Sequence, residues 1–233
     1  MSKDTKTVII VAGGRGKRMG NRIPKQFLRL CDTPVLLLTM LRFYDYDNNI
    51  KIILTLPKDE ITTWETIKSQ LHNVPSHTIV EGGDERFFSV KNSLAYVEKG
   101  GIVAVHDGVR PFVSTETISR CFDRAQQCGA AIPVIAMTES IRYFEDEDKS
   151  VSVNRAKYKI VQTPQVFNSD ILIHAYAQPY SQDFTDDASV VEKFGYPISP
   201  VEGNIENIKL TTPLDMEIAK IIGKRNLSLP LSP

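Results

Sequence analysis

The chain has 233 residues, 42% hydrophobic and 24% charged, and its 28 basic side chains cancel its 28 acidic ones. This length and balance predict a soluble globular chain able to bury a good core, one large domain spanning residues 1–233 or a domain with a small appendage. Zero net charge excludes a global field that would draw in nucleic acid or an anionic membrane, so any phosphate site must use local charge.

Residues 7–10 (TVII) predict a strand that empties into Ala12-Gly13-Gly14-Arg15-Gly16. Missing β-carbons at these glycines let backbone N–H groups approach a polyanion. Arg15, Lys17 and Arg18 add cations, and Lys25 follows the rigid Pro24. The segment suits a nucleoside triphosphate, but two commoner phosphate loops are excluded by spacing. A P-loop would need glycine at Val11 and Ser or Thr at Arg18, and a dinucleotide fingerprint would need glycine at Met19. The competing reading is a Gly-rich turn with solvated charges. Cys31, Cys121 and Cys128 lack metal-ligand spacing and are expected to be reduced thiols.

Further along, residues 50–56 (IKIILTL) predict a nearly continuous apolar strand, and Ile61, Trp64, Ile67 and Leu71 mark a helical face. Residues 78–80 predict a short strand, then Phe87, Val90, Leu94 and Val97 a helix closed by Gly100-Gly101. Residues 102–105 predict a strand, Ile118, Phe122 and Ala125 a helix, and residues 130–136 another strand. That rhythm predicts an α/β fold, a mixed and mostly parallel sheet covered by helices. It breaks over residues 137–167, where Ile141, Tyr143, Val151 and Val153 flank the acidic turn EDEDKS. This reads as a projecting β-hairpin arm, either folded back on its own domain or paired with a second copy. Residues 226–233 predict a frayed tail. The apolar runs are too short to cross a bilayer and residues 1–6 carry no signal-peptide pattern, so the expected compartment is the cytoplasm.

Five more clusters fall where strands should end, the place where open α/β sheets bind ligands. In Glu81-Gly82-Gly83-Asp84-Glu85-Arg86, bare backbone and a carboxylate suit a base or ribose, while the plain alternative is a turn with Asp84 as helix N-cap. In His106-Asp107-Gly108-Val109-Arg110, Asp107 suits Mg²⁺ or a hydroxyl, and Arg110 either holds a phosphate or orients Asp107. His106 is expected to be packed. Asn154-Arg155 should end the hairpin's return strand, followed by Gln162-Thr163-Pro164-Gln165. Thr185-Asp186-Asp187-Ala188-Ser189 predicts a helix start with Thr185 or Asp186 as cap, and Asn207-Ile208-Lys209 a late strand before a helix near Pro213.

Taken in order, AGGRGKRMG, PKQF, EGGDERFFSV, VHDGVRP, QTPQVF, TDDASVVE and NIKLTTP resemble the 2-C-methyl-D-erythritol 4-phosphate cytidylyltransferase family of the non-mevalonate isoprenoid pathway. The resemblance implies a Rossmann-like sheet, a homodimer joined by the arm, and transfer of CMP from CTP to a polyol phosphate with Mg²⁺ or another divalent cation. By position it implies Arg18 and Lys25 as transition-state stabilisers, and Arg155 (from the partner subunit) and Lys209 as the pair positioning the acceptor phosphate. Ala12, Gly13, Gly14, Gly16, Gly83, Asp84 and Ser89 match the nucleotide site, and Asp107, Arg110, Thr163 and Thr185 the substrate pocket, with Asp107 the metal candidate. Departures are Gly13 in place of a common alanine, Gly108-Val109 in place of a smaller pair, and Glu139-Ser140 in place of Asp-Thr, so Ser140 receives no contact. Two alternatives stand: a ribitol 5-phosphate or related polyol-phosphate cytidylyltransferase, and a non-catalytic nucleotide-binding module.

Overall fold

The structure, a computed structural model, describes residues 5–13, 24–30 and 32–226. The elements run β1 (Lys6–Val11), a 3-10 turn (Lys25–Phe27), β2 (Arg29–Leu30), β3 (Thr33–Pro34), α1 (Val35–Tyr46), β4 (Lys51–Leu56) and α2 (Lys58–Lys68). They continue with β5 (His77–Glu81), α3 (Arg86–Leu94), β6 (Ile102–Asp107), α4 (Thr115–Cys128) and β7 (Ala130–Ala136). After β8 (Arg142–Phe144) and β9 (Ser150–Ser152) come a second 3-10 turn (Arg155–Lys157), β10 (Lys159–Val161), β11 (Gln165–Asn168), α5 (Ser169–Ala175), α6 (Asp187–Lys193), β12 (Ser199–Glu202) and α7 (Pro213–Asn226).

Eight of these strands form one mixed sheet in the order β10-β7-β11-β6-β1-β4-β5, with β12 also paired to β7. Strand β1 lies parallel between β4 and β6, and β5 extends the parallel half, as the alternating sequence pattern requires. Its residues divide by parity: Val8 and Ile10 join a core with α1, α2 and α4, while Ile9 joins a second core with α3, α5 and α6. Helices thus cover both faces of the sheet. Strand β11 runs antiparallel to both β6 and β7, and β7 carries β10 antiparallel and β12 parallel.

Helix α1 has no counterpart in the sequence reading. Val35, Leu36, Leu37, Leu38, Met40 and Phe43 are all buried, because α1 packs on the sheet and also on a third cluster with Val109, Phe112, Leu210 and Ala219. A helix apolar on several sides has a weak periodic signature.

The break in the rhythm falls where the sequence places it. Among the described residues strands β8 and β9 pair only with each other, and Tyr143 and Phe144 are each 61% exposed. The return strand is shorter than expected: β9 stops at Ser152, and Asn154 caps the turn Arg155–Lys157 by accepting from the Ala156 N–H. Beyond the arm, Tyr158, Ile160 and Val161 are also exposed. No helix among the described residues is long and apolar enough to cross a membrane.

A candidate active site at the strand ends

The C-terminal ends of β1, β4, β5 and β6 are knotted together by backbone. The Ala12 N–H donates to the Thr55 carbonyl at 2.9 Å, Gly82 N–H to Leu56 at 2.8 Å, and Gly108 N–H to Val11 at 2.9 Å. At Gly108 the chains come so close that an added β-carbon would stand 2.9 Å from that of Ala12. Above this point opens a cleft of about 190 Å³, lined among others by Ala12, Gly13, Lys25, Gly83, Asp84 and Lys209.

One wall is the turn between β5 and α3. A β-carbon at Gly83 would fall 2.4 Å from that of Phe88, so the turn requires glycine there. Ser89, buried beneath it, accepts from the Gly83 N–H at 3.1 Å and donates to the Glu85 carbonyl at 3.2 Å. Ser89 therefore helps build the turn through hydrogen bonds internal to it, and it also lines the cleft. Asp84 does not cap α3: Glu85 occupies the N-cap without a side-chain bond, and Asp84 lines the cleft.

The facing wall holds Lys25, the first residue of the 3-10 turn after Pro24. The next residue, Gln26, is fully buried; its Nε2 donates to the Ala12 carbonyl at 2.8 Å and to the Glu60 carboxylate. Gln26 thereby ties the lysine-bearing turn to the first residue of the Gly-rich loop. Stacking of Phe27 on Trp64, with ring centroids 6.2 Å apart, anchors the same turn to α2. Sequence reasoning did not single out Gln26, whose partners lie 14 and 34 positions away.

At the floor, the Asp107 Oδ2 meets the Lys209 Nζ at 3.2 Å and accepts from the Arg110 Nε at 2.9 Å. Burial would raise this carboxyl, but Lys209, Arg86 and Arg110 outweigh burial and hold it well below the usual carboxylate range. Arg110 also donates to the Asn207 carbonyl at 2.8 Å, so of its two expected roles the geometry carries the orienting one. Lys209 sits in an irregular segment instead of a late strand; Leu210 N–H, bonded to Val109 at 3.0 Å, holds it beside β6.

Thr163 is turned inward. Its hydroxyl accepts from the Asp107 N–H at 3.1 Å and lies 3.0 Å from His106 Nδ1, while His106 Nε2 lies 3.1 Å from the Arg110 carbonyl. Burial pushes His106 down to about 4, so it is a neutral packed ring near pH 7, as expected. Thr185 is exposed, outside the residues lining this cleft, and Asp186 rather than Thr185 caps α6, in a capping box with Ser189. Arg155 is exposed on the arm, where it donates to the Thr138 carbonyl, and it too lies outside the cleft lining. Gly14, Gly16 and Arg18, like Cys31, fall outside the described residues.

The comparisons agree with one another. The family model for 2-C-methyl-D-erythritol 4-phosphate cytidylyltransferase matches residues 6–225. The chain is 49% identical over 216 residues to the enzyme of that name from Bacteroides thetaiotaomicron, covering 93% of this chain and 98% of that one. It is 50% identical over 221 residues to that from Porphyromonas gingivalis, covering 94% and 98%. Among solved structures, the cytidylyltransferase of Thermus thermophilus superposes with a TM-score of 0.75 at 28% identity, over 95% of this chain and 99% of that one. That of Francisella tularensis gives 0.77 at 30% identity, over 93% and 99%. A chain with this sheet, this cleft and near-complete matches of this kind belongs to the 2-C-methyl-D-erythritol 4-phosphate cytidylyltransferase family, a family of CTP-dependent nucleotidyltransferases.

Proposed function

We propose that this cleft transfers the cytidylyl group of CTP to 2-C-methyl-D-erythritol 4-phosphate, releasing pyrophosphate, as a step of non-mevalonate isoprenoid precursor synthesis in the cytoplasm. The observation that carries the reading is the meeting, in one cleft, of a glycine-flanked loop and Lys25 with the Asp107–Lys209 pair. Such an arrangement suits two phosphates that must be brought together. An oxygen of the acceptor phosphate attacks the α-phosphorus of CTP, the bond from that phosphorus to the bridging oxygen breaks, and pyrophosphate leaves with its electron pair. Positioning and charge stabilisation are what a protein can contribute to such a transfer. In this reading Lys25 and Arg18 offset charge on the α-phosphate and the leaving pyrophosphate. Lys209, held by Asp107, and Arg155 of a second subunit hold the acceptor phosphate in line. No general base is required, because the attacking phosphate is already ionised near neutral pH.

Among the described residues no group of three or more metal-ligating side chains gathers, and Asp107 shares one oxygen with two cations. A single carboxylate of this kind fits a Mg²⁺ or other divalent ion for which Asp107 would be the protein ligand, the remaining positions being left to substrate and water. When bound, the ion supplies neutralisation of triphosphate charge. The cytosine face falls to Gly13, Gly83 and Asp84; the Ala12 carbonyl already accepts from Gln26. The exposed β8–β9 ribbon supports a homodimer, since an isolated two-stranded ribbon is marginal in water.

Steady-state pyrophosphate release with a substrate panel tests the reading. CTP should exceed UTP in kcat/KM by about tenfold or more, the scale of leaving one buried acceptor unpaired. 2-C-methyl-D-erythritol 4-phosphate should exceed ribitol 5-phosphate by a similar factor. Equal values for the two nucleotides, or a preference for ribitol 5-phosphate, would overturn the assignment, and absence of turnover with every pair would favour a binding module.

A further inference from the structure

Arg86, the first residue of α3, forms part of the cleft wall directly after the Gly82-Gly83 turn. Its two terminal nitrogens are committed to one carboxylate: Nη1 donates to Asp187 Oδ1 at 2.9 Å and Nη2 to Oδ2 at 2.6 Å. Asp187 is fully buried in the first turn of α6, and its Oδ1 also accepts from the Tyr176 hydroxyl at 2.6 Å. The Arg86 side chain nevertheless stays 31% exposed.

A buried ion pair is a poor device for joining two helices, since apolar groups of similar volume often do so as well or better. What apolar groups cannot supply is a fixed positive charge at a cleft wall. Desolvation pulls the Arg86 guanidinium toward neutrality, but Asp187 outweighs it and the group stays charged at any working pH. Asp107, at the cleft floor, attracts Arg86 as well. With both terminal nitrogens fixed by Asp187, the edge left for a ligand is the Nε side, pre-oriented and with little entropy left to lose.

We propose that Arg86 is a phosphate-binding residue of this cleft, a guanidinium clamped by Asp187 and Tyr176 so that its remaining edge meets a phosphate of CTP or of the acceptor. This rests on the cytidylyl-transfer reading. Three variants separate charge from scaffolding. Arg86→Lys keeps the charge and loses the bidentate clamp. Arg86→Gln with Asp187→Asn keeps neutral hydrogen bonds. Arg86→Met with Asp187→Leu and Tyr176→Phe replaces the triad by apolar packing.

Titration calorimetry with Mg²⁺–CTP and, separately, with 2-C-methyl-D-erythritol 4-phosphate reads the outcome, beside melting temperatures. Both neutral sets should lose affinity for one of the two ligands by about tenfold or more, the scale of one charge-assisted hydrogen bond, and Arg86→Lys should lose less. Loss confined to CTP assigns the triphosphate, and loss confined to methylerythritol phosphate assigns the acceptor. A neutral set that melts like wild type and binds both ligands as wild type does would overturn the proposal. Failure of both neutral sets to fold would overturn it too, by making the pair a folding determinant. Wild-type turnover, measured alongside, keeps failure of the underlying reaction distinct from failure of Arg86.

Discussion

Lys25→Ala is expected to lower kcat/KM by about 10²-fold or more while leaving the protein folded, the scale of removing one preorganised electrostatic contact from a reacting centre. The side chain is half-buried at the cleft, on a turn fixed from three directions. Pro24 sets its entry, Gln26 fastens it to Ala12, and Phe27 anchors it on Trp64. Because the turn is held by its neighbours, truncating Lys25 removes charge without dismantling the wall. Charge on the departing pyrophosphate grows as the bond to the α-phosphorus breaks, so the loss should fall mainly on kcat. A well-folded Lys25→Ala protein with near-normal turnover would remove Lys25 from the mechanism.

Arg155 yields the second large effect, and it reports on the proposed dimer. In its own subunit Arg155 lies on the exposed arm, bonded to the Thr138 carbonyl and apart from the residues lining the cleft. Tyr143, Phe144 and Val151 on the same arm remain uncovered in a single chain. Pairing with a second copy would cover this surface, and a twofold axis is the commonest symmetry for such pairing. If the arm carries Arg155 into the neighbour's cleft, Arg155→Ala and Lys25→Ala should each be nearly inactive alone. Co-expressed, they form heterodimers in which one site holds both defects and the other none. Activity should then return to at most about half of wild type per heterodimer, by counting intact sites in a twofold pair. Heterodimers confirmed by mass and still inactive would show that Arg155 serves its own subunit.

What was legible in the sequence follows from packing. Strands β1, β4, β5, β6 and β7 announce themselves as short β-rich apolar runs, nearly continuous in β1, β4 and β6 because those are buried from both sides, while helices α2, α3 and α4 show an apolar face repeating at helical spacing. Helix α1 hides because Val35 to Leu38 are buried without interruption, and β12 hides because Ser199-Pro200-Val201-Glu202 carries little apolar signal and becomes a strand only by pairing with β7. At the site, Gly13, Lys25, Gly83, Asp84, Asp107 and Lys209 line one cleft. The roles of Ser89, Thr163 and Arg110 were less legible. Each turns to a backbone or carboxylate partner, and nothing in a motif says whether a polar side chain faces ligand or turn. Arg86 and Asp187 stand inside two recognised motifs, yet their contact joins positions 101 apart, beyond the reach of any local pattern.

The reaction itself is tested most directly by ³¹P NMR of the purified chain with CTP, 2-C-methyl-D-erythritol 4-phosphate and Mg²⁺. The three CTP resonances and the acceptor monoester should decline together, replaced in equal amounts by the two coupled resonances of a diphosphate diester and the single resonance of pyrophosphate. CTP consumed to CMP or CDP without loss of the acceptor monoester, or no change over many hours, would contradict cytidylyl transfer.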